Sequence, residues 1–356
     1  MEKDMFGVSR LKVNLHMHTT LSDGSKTPEE AAEIYKKAGY DVVAITDHWI
    51  HRDSGEIGGL RILSGAEYNI GGGDASTGVY HILGIGCSKK PNLTQEAGPQ
   101  KIIDEVHRCN GIAILAHPAW SLNTAQQAAA LNGVDATEIF NSVSDEGESS
   151  RPYSGDFVDT AACQGLFYPL VADDDTHMYN CDETKAWIML EAKITDSDEA
   201  LLQAIKEEKF YATQGPEIHI RRNGDEITVL CSPVSRISFF SNAVWAPERG
   251  HRGTGLTKAV CHVQPWEKFI RAEVTDEQGR IRMDDWELSD EVQDKVMECW
   301  KNVTTENVAE LSDIDGYWQD FYQMFGFHLD GVDYAKDVDL EVAIPSLEKF
   351  IEDHSE

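Results

Sequence analysis

Six of the chain's thirteen histidines stand at the ends of short apolar runs, and acids accompany them there. Leu15-His16-Met17-His18 closes the first run, Asp47-His48 follows DVVAIT, and Glu67 ends the run that begins at Arg61. His81 opens HILGIG, His117-Pro118 follows AILA, and Asp175-Thr176-His177 follows LVA. Between several of these runs lie amphipathic stretches. The sharpest is Pro28 to Ala38, with proline near its start, acids in its first turn and Gly39 closing it. Strand candidates are Leu11–Leu15, Asp41–Thr46, Arg61–Tyr68, Tyr80–Gly86, Ile112–Ala116, Thr137–Phe140 and Tyr168–Ala172. Strand and helix in this rhythm predict an α/β fold with a mostly parallel sheet and helices outside it, either open or closed into a barrel. Ligand-type residues at successive strand ends are what a barrel mouth or a switch-point site requires.

The rhythm changes after about residue 215, where strands stand alone. Glu217–Arg222 and Glu226–Cys231 flank Asn223-Gly224-Asp225, a hairpin signal. Arg236–Ser241, Thr257–Val263 and Phe269–Thr275 complete a small all-β unit, expected over 216–278. From Gly279 the composition shifts to an acidic tail, with 21 acids against 6 bases over 279–356. Asp284–Trp300, Asn307–Leu311 and Tyr317–Phe325 read as helical there. The expected organisation is thus 1–215, 216–278 and an α-helical C-terminal tail, 279–356.

The formal net charge is −31. Such a surface repels nucleic acid and anionic membranes, so neither is an expected partner, and a small anionic substrate needs a local positive centre. No apolar run approaches a membrane span, and the first residues lack a secretory signal, so a cytoplasmic location is expected. Seven scattered cysteines form no C-x-x-C pair, which fits reduced thiols better than a disulfide frame.

On a strand, the two-residue spacing of His16 and His18 sends both imidazoles to one face. Two imidazoles aimed at one point suit zinc, manganese or iron. H-x-H alone is a weak signal. Chance placement accounts for one or two such histidines, and poorly for six together with Asp23, Glu67 and Asp175. No G-x-S-x-G elbow supplies a protein nucleophile, so metal-assisted hydrolysis is the better expectation. Gly71-Gly72-Gly73-Asp74 lacks the lysine and helix of a phosphate loop and reads as a hairpin turn. Asp47 is expected to orient a ligand imidazole from behind. His51, His107, Arg52 and Arg151 fall off the pattern and read as surface residues, and Thr213–Pro216 reads as turn chemistry rather than binding.

The segments HMHTTLSDGSKTPEE, ITDH, GAEYN, HILGIG, ILAHPAW and DDDTH resemble the PHP family, named for its polymerase-associated and histidinol-phosphatase members. The resemblance covers residues 10–215 and is nearest to the stand-alone metal-dependent phosphoesterases. It implies a distorted (β/α)7 barrel with two or three divalent ions (Mn, Zn or Fe) at the C-terminal strand ends. Carried over by position, it implies His16, His18, Glu67 and Asp175 around a first metal. Glu67 would bridge to a second, with His81 and His117, and Asp23, His48 and His177 would hold a third. Asp175 is preferred to Asp173 and Asp174 because the family motif is D-x-H. Glu67, Asp175 and Asp47 are the acids expected at the reaction centre. Three ions and three carboxylates leave a pocket of about +3 that a hydroxide and a phosphate dianion would neutralise. The implied activity is phosphoester hydrolysis of a small ester or nucleotide by a metal-bound hydroxide. The alternatives are hydrolysis of a carboxylic ester, carbamate or amide, or a non-catalytic metal-stabilised binding module.

The tail carries a second resemblance. GRIRMDDWELSDEVQDKVMECW, VTTEN, GYWQDFYQMFGF and VDYAKDVD are similar to the C-terminal end of the trans-2-enoyl-CoA (enoyl-ACP) reductases, over residues 279–340. That family's glycine motif and tyrosine-lysine pair belong upstream and have no counterpart here, so no reductase activity is expected.

Overall fold

The structure is a computed structural model that describes residues 3–72, 74–145 and 149–287, with only the backbone at 282–287. In chain order, β1 (Leu11–Asn14) leads to α1 (Pro28–Lys37), β2 (Val42–Ala44), β3 (Gly55–Ile57), β4 (Leu60–Leu63), β5 (Gly65–Ile70) and β6 (Tyr80–Ile85). Then come α2 (Pro99–Arg108), β7 (Ile112–Leu115), α3 (Pro118–Ser121), α4 (Ala125–Ala129), β8 (Ala136–Asn141), α5 (Gly155–Cys163) and β9 (Leu170–Asp173). β10 (Trp187–Leu190), α6 (Asp198–Lys206) and β11 (Phe210–Thr213) precede β12 (Ile218–Asn223), β13 (Glu226–Ser241), β14 (Gly250–His262), β15 (Phe269–Thr275) and β16 (Ile281–Glu287).

Local chemistry explains the better-defined elements. Thr27 caps α1 in a capping box: Glu30 N donates to Thr27 Oγ1, and Thr27 N donates to Glu30 Oε2 at 2.9 Å. Strand β2 is buried on both faces, as a parallel strand between helix and core should be. Val42 and Ala44 join one apolar cluster with Leu11, Val13, Ile112 and Ile114, while Val43 and Ile45 join another with Ala31, Ala32 and Tyr35 of α1.

The strands fall into two sheets. One runs β12-β13-β15-β16-β11-β10-β1-β2-β4-β3, with β14 on β13, and the other β5-β6-β7-β8-β9. β1, β2 and β4 are parallel, as are β7, β8 and β9, whereas β5, β6 and β7 pair antiparallel and β10 runs against β1. The fold is therefore mixed α/β. Among the described residues no closed barrel is formed by continuous ladders. Isolated bridges tie the two sheets instead, Met17 to Thr176 and His48 to Glu67.

Several sequence expectations are corrected. The run Arg61–Tyr68 is two strands in different sheets, broken at Ser64. Gly65 sits at the break because a Cβ there would stand 2.6 Å from Ile45 O, where the chain crosses the end of β2. The segments read as separate strands at 226–231 and 236–241 are one long strand, β13, bent by register shifts around Val234 so that β12 pairs with its first part and β15 with its second. The helix read from Asp284 is a strand as far as Glu287. β16 ladders onto β15 and β11, and two strand edges there outweigh a helical pattern. The rest of that helix, the two later helices and Gly73 lie outside the described residues.

A buried arginine joins the α/β part to the strands after 216. Arg271 on β15 is 1% exposed. It donates to both oxygens of Asp159 on α5 at 3.0 and 2.9 Å, to Glu273 at 3.1 Å and to Tyr153 Oη at 3.2 Å. Its guanidinium stacks over Phe240 at 4.3 Å. Removing one partner of such a group leaves uncompensated buried charge. Arg271→Ala should therefore lower unfolding stability by about 3–5 kcal/mol, read from the denaturant midpoint. A loss under about 1 kcal/mol would mean that water replaces the guanidinium.

Candidate metal centre

The strand ends deliver their side chains to one place. Beyond β1 the backbone stays extended. Asp175 N donates to His16 O, and His18 N to Thr176 O, each at 2.9 Å. Met17 therefore turns outward into the cluster on α1, while His16 and His18 turn inward, both fully buried. The loop that follows closes tightly on His18: a Cβ on Gly24 would lie 2.5 Å from the His18 carbonyl, so only glycine fits.

Glu67 and Asp175 meet the two imidazoles. His16 Nε2 and His18 Nε2 are 3.2 Å apart. Each lies 3.0–3.3 Å from both Glu67 Oε2 and Asp175 Oδ1. Donor atoms sharing a cation at about 2.0–2.2 Å stand roughly 3–3.5 Å from one another, so the spacing fits a metal. Hydrogen-bond geometry does not explain it, because Glu67 Oε2, Asp175 Oδ1 and His48 Nδ1 are buried without a hydrogen-bond partner. Such atoms are costly unless something cationic joins them.

Two further groups share these residues. His81 Nδ1 is 2.7 Å from Glu67 Oε1, and His117 Nε2 is 3.5 Å from that oxygen and 3.7 Å from Asp175 Oδ2. On the open side, Asp23 lies 3.5 Å from His48 Nε2 and 3.6 Å from His177 Nε2. Its side chain is 54% exposed, so this third group faces solvent. His18 Nδ1 also approaches Asp23, at 3.6 Å. All nine side chains named from the sequence as candidate ligands are thus brought together, in three overlapping sets. His51 pairs with Asp53 and His107 with Asp135, outside all three sets. Arg151 is exposed.

The electrostatics express the same demand for positive charge. Burial pushes the His18 imidazole down, but the negative charge of the Asp175 and Glu67 carboxylates beside it outweighs burial and raises it to about 9. His16 is likewise raised well above its ordinary value, burial being outweighed by Asp175, Glu138 and Glu67. Burial acts to raise the Glu67 and Asp175 carboxyls, yet the surrounding imidazoles hold both well below the usual range. His81 moves the other way: burial lowers it despite Glu67.

The backbone is bent to serve the site. His117 (φ 27°), Trp49 (φ 59°) and Asp175 (φ 52°) all occupy the left-handed region that side chains rarely adopt. Trp49 N is fixed by Glu67 O at 2.8 Å, and its indole N–H by Asn69. Of the three consecutive acids, Asp173 accepts from Leu15 N, and Asp174 from Tyr35, Ser142 and three backbone amides. Only Asp175 stands among the histidines.

Asp47 corrects an expectation. Its carboxylate accepts from Thr19 N, Thr19 Oγ1, Ser22 N and Ser22 Oγ, and touches no imidazole. It faces away from the histidines, so it acts through Ser22, whose hydroxyl lies 3.4 Å from His18 Nδ1.

Glu138 was missed. From the buried strand β8, its Oε1 sits 2.7 Å from His16 Nδ1, and its Oε2 accepts from His117 N and Asn141 Nδ2, both at 2.8 Å. Asn141 also donates to Asp175. The available signal was an acid in the middle of the apolar strand Ala136–Asn141, where an unpaired carboxylate would be intolerable.

Comparison with known proteins divides the chain in two. A family profile described as "Enoyl reductase FAD binding domain" matches residues 275–338. An enoyl-[acyl-carrier-protein] reductase [NADH] of Coxiella burnetii is 52% identical over 73 residues, covering 20% of this chain and 18% of the reductase. The chain thus spans under a fifth of the length of that curated relative. By structure, a two-domain Bacteroides vulgatus protein containing a predicted PHP-like metal-dependent phosphoesterase matches with TM-score 0.48 and 14% identity, over 81% of this chain and 98% of that one. An amidohydrolase of Chromobacterium violaceum matches with TM-score 0.32 and 15% identity, over 48% and 89%.

Glu138 provides a test of the centre that leaves all nine candidate ligands intact. Glu138→Gln should weaken divalent-cation binding about 10–100-fold, as loss of a partner behind a ligand imidazole does, in a competition titration with a chelator. Unchanged affinity would remove Glu138 from the centre.

Proposed function

We propose that the chain is a metal-dependent hydrolase of small phosphate esters, its cations held where strand ends of the two bridged sheets converge. One observation carries the reading: buried carboxylate oxygens of Glu67 and Asp175, with no hydrogen-bond partner, face imidazole nitrogens at metal-ligand spacing. His16, His18, Glu67 and Asp175 would hold one ion, Glu67, His81 and His117 a second, and Asp23, His48 and His177 a third. Nitrogen and oxygen donors without thiolate fit zinc, manganese or iron. Bound there, divalent cations supply Lewis acidity towards water and the phosphoryl oxygens.

The protein's own groups set proton positions. Glu138 holds the proton of His16 on Nδ1, and the Asp175 carbonyl, 2.8 Å away, does the same for His177, leaving each Nε2 lone pair to face inward. Ser121 Oγ, 3.2 Å from His117 Nδ1, orients that ring. Asp47 and Ser22 fix the loop carrying Asp23. Three divalent ions among three carboxylates would leave about +3, a positive pocket in a chain of formal charge −31. That local sign favours a phosphate dianion over a neutral carboxylic ester or amide. What the enoyl reductases do is not carried over to this chain.

The purified protein, loaded with manganese or zinc, should release inorganic phosphate from small monoesters, and EDTA should abolish the release. Glu67→Gln should lower both metal content and turnover, since both of its oxygens face candidate ligands. Cleavage of aryl carboxylic esters without phosphate release would replace the phosphoester reading. A metal-loaded protein inert towards both would end the hydrolase reading.

A further inference from the structure

We propose that Trp120 is a specificity-determining residue that stacks against an aromatic group on the substrate ester; this deepens the phosphoester reading and rests on it. Trp120 lies in the single turn of α3, three residues after His117, so the turn lays the indole beside that imidazole. Its ring centroid is 4.9 Å from that of His117 and 5.3 Å from that of His81, at interplanar angles of 76° and 58°. Two of the candidate ligands of the second group are thus walled by one indole. Both imidazoles are nearly enclosed, at 4% and 13% side-chain exposure, while Trp120 itself is only half-buried. The indole thus stands beside the two imidazoles that a phosphoryl group bound near Glu67 would approach.

Exposed apolar residues are also found close in sequence to the candidate ligands. Nine large apolar side chains are exposed among the described residues, and four of them, Leu21, Ile50, Leu122 and Met178, lie within five positions of a candidate ligand. A flat apolar leaving group gains contact area with Trp120 while its phosphate occupies the positive centre. The substrate class that fits is a phosphate monoester of an aryl or arylmethyl alcohol.

The test uses the full chain loaded with manganese and two non-hydrolysable probes, benzylphosphonate and methylphosphonate, measured by isothermal titration calorimetry. Native protein should bind benzylphosphonate at least fivefold more tightly. Trp120→Ala should reduce that preference below twofold while leaving methylphosphonate affinity and manganese content within twofold, and Trp120→Phe should keep most of the preference. If Trp120→Ala loses manganese, Trp120→Phe and Trp120→Leu decide, the first keeping and the second losing the preference. Equal native affinities, no binding of either probe, a preference untouched by the substitutions, or an equal weakening of both probes would each overturn the proposal. Failure of phosphate release with the preference intact would remove the hydrolytic reading and leave the aromatic subsite standing.

Discussion

The structure turns on two carboxylates that cannot stand alone. Glu67 and Asp175 are almost wholly buried, and each has an oxygen that no hydrogen bond satisfies. Water is excluded, so positive charge must come from protonated imidazoles or from cations. The upward pull on His16 and His18 is how the first alternative shows itself. Four donor atoms converging at 3.0–3.3 Å, with carboxylate oxygens that no hydrogen bond satisfies, favour the second. Much of the surrounding architecture follows from this need. The extended exit of β1, the left-handed turns at Trp49, His117 and Asp175, and the supporting carboxylate of Glu138 all keep donor atoms aimed at one region.

A good part of this arrangement was legible in the sequence because it depends on periodicity. Polar residues ending apolar runs locate strand ends, and the two-residue spacing of His16 and His18 assigns them a common face. What escaped depends on tertiary partners. Glu138 was hidden inside a run that reads as an ordinary buried strand, and its role appears only when His16 and His117 arrive from other strands. Asp47 was recognised as important for the wrong contact, since its partners belong to the loop at Thr19 and Ser22. The break at Ser64 could not be read locally either: both halves have strand composition, and only the crossing over β2 forces them into separate sheets. A continuous barrel was expected where two bridged sheets are found.

The C-terminal similarity has an unexpected structural footing. Residues 281–287 fall within the stretch that matches the reductase domain, yet as β16 they pair with β11 of the part that carries the candidate metal centre and with β15. The matched segment therefore starts inside the sheet rather than beyond it. Arg271, 112 residues beyond Asp159 of α5 in sequence but bonded to it, adds a second tie between the same regions. Changes made in the strands after 216 can thus be felt through the sheet that carries β1, the strand from which His16 and His18 emerge.

The isolated bridges between the two sheets coincide with the candidate ligands. Met17 lies between His16 and His18, its partner Thr176 between Asp175 and His177, a second bridge is His48 with Glu67 themselves, and a third joins Arg52 to Gly65. The candidate ligands therefore straddle the seams where the peptide ladder is thinnest. A substitution that shifts the backbone at any of these bridges therefore disturbs the join between the sheets and the aim of the candidate ligands together.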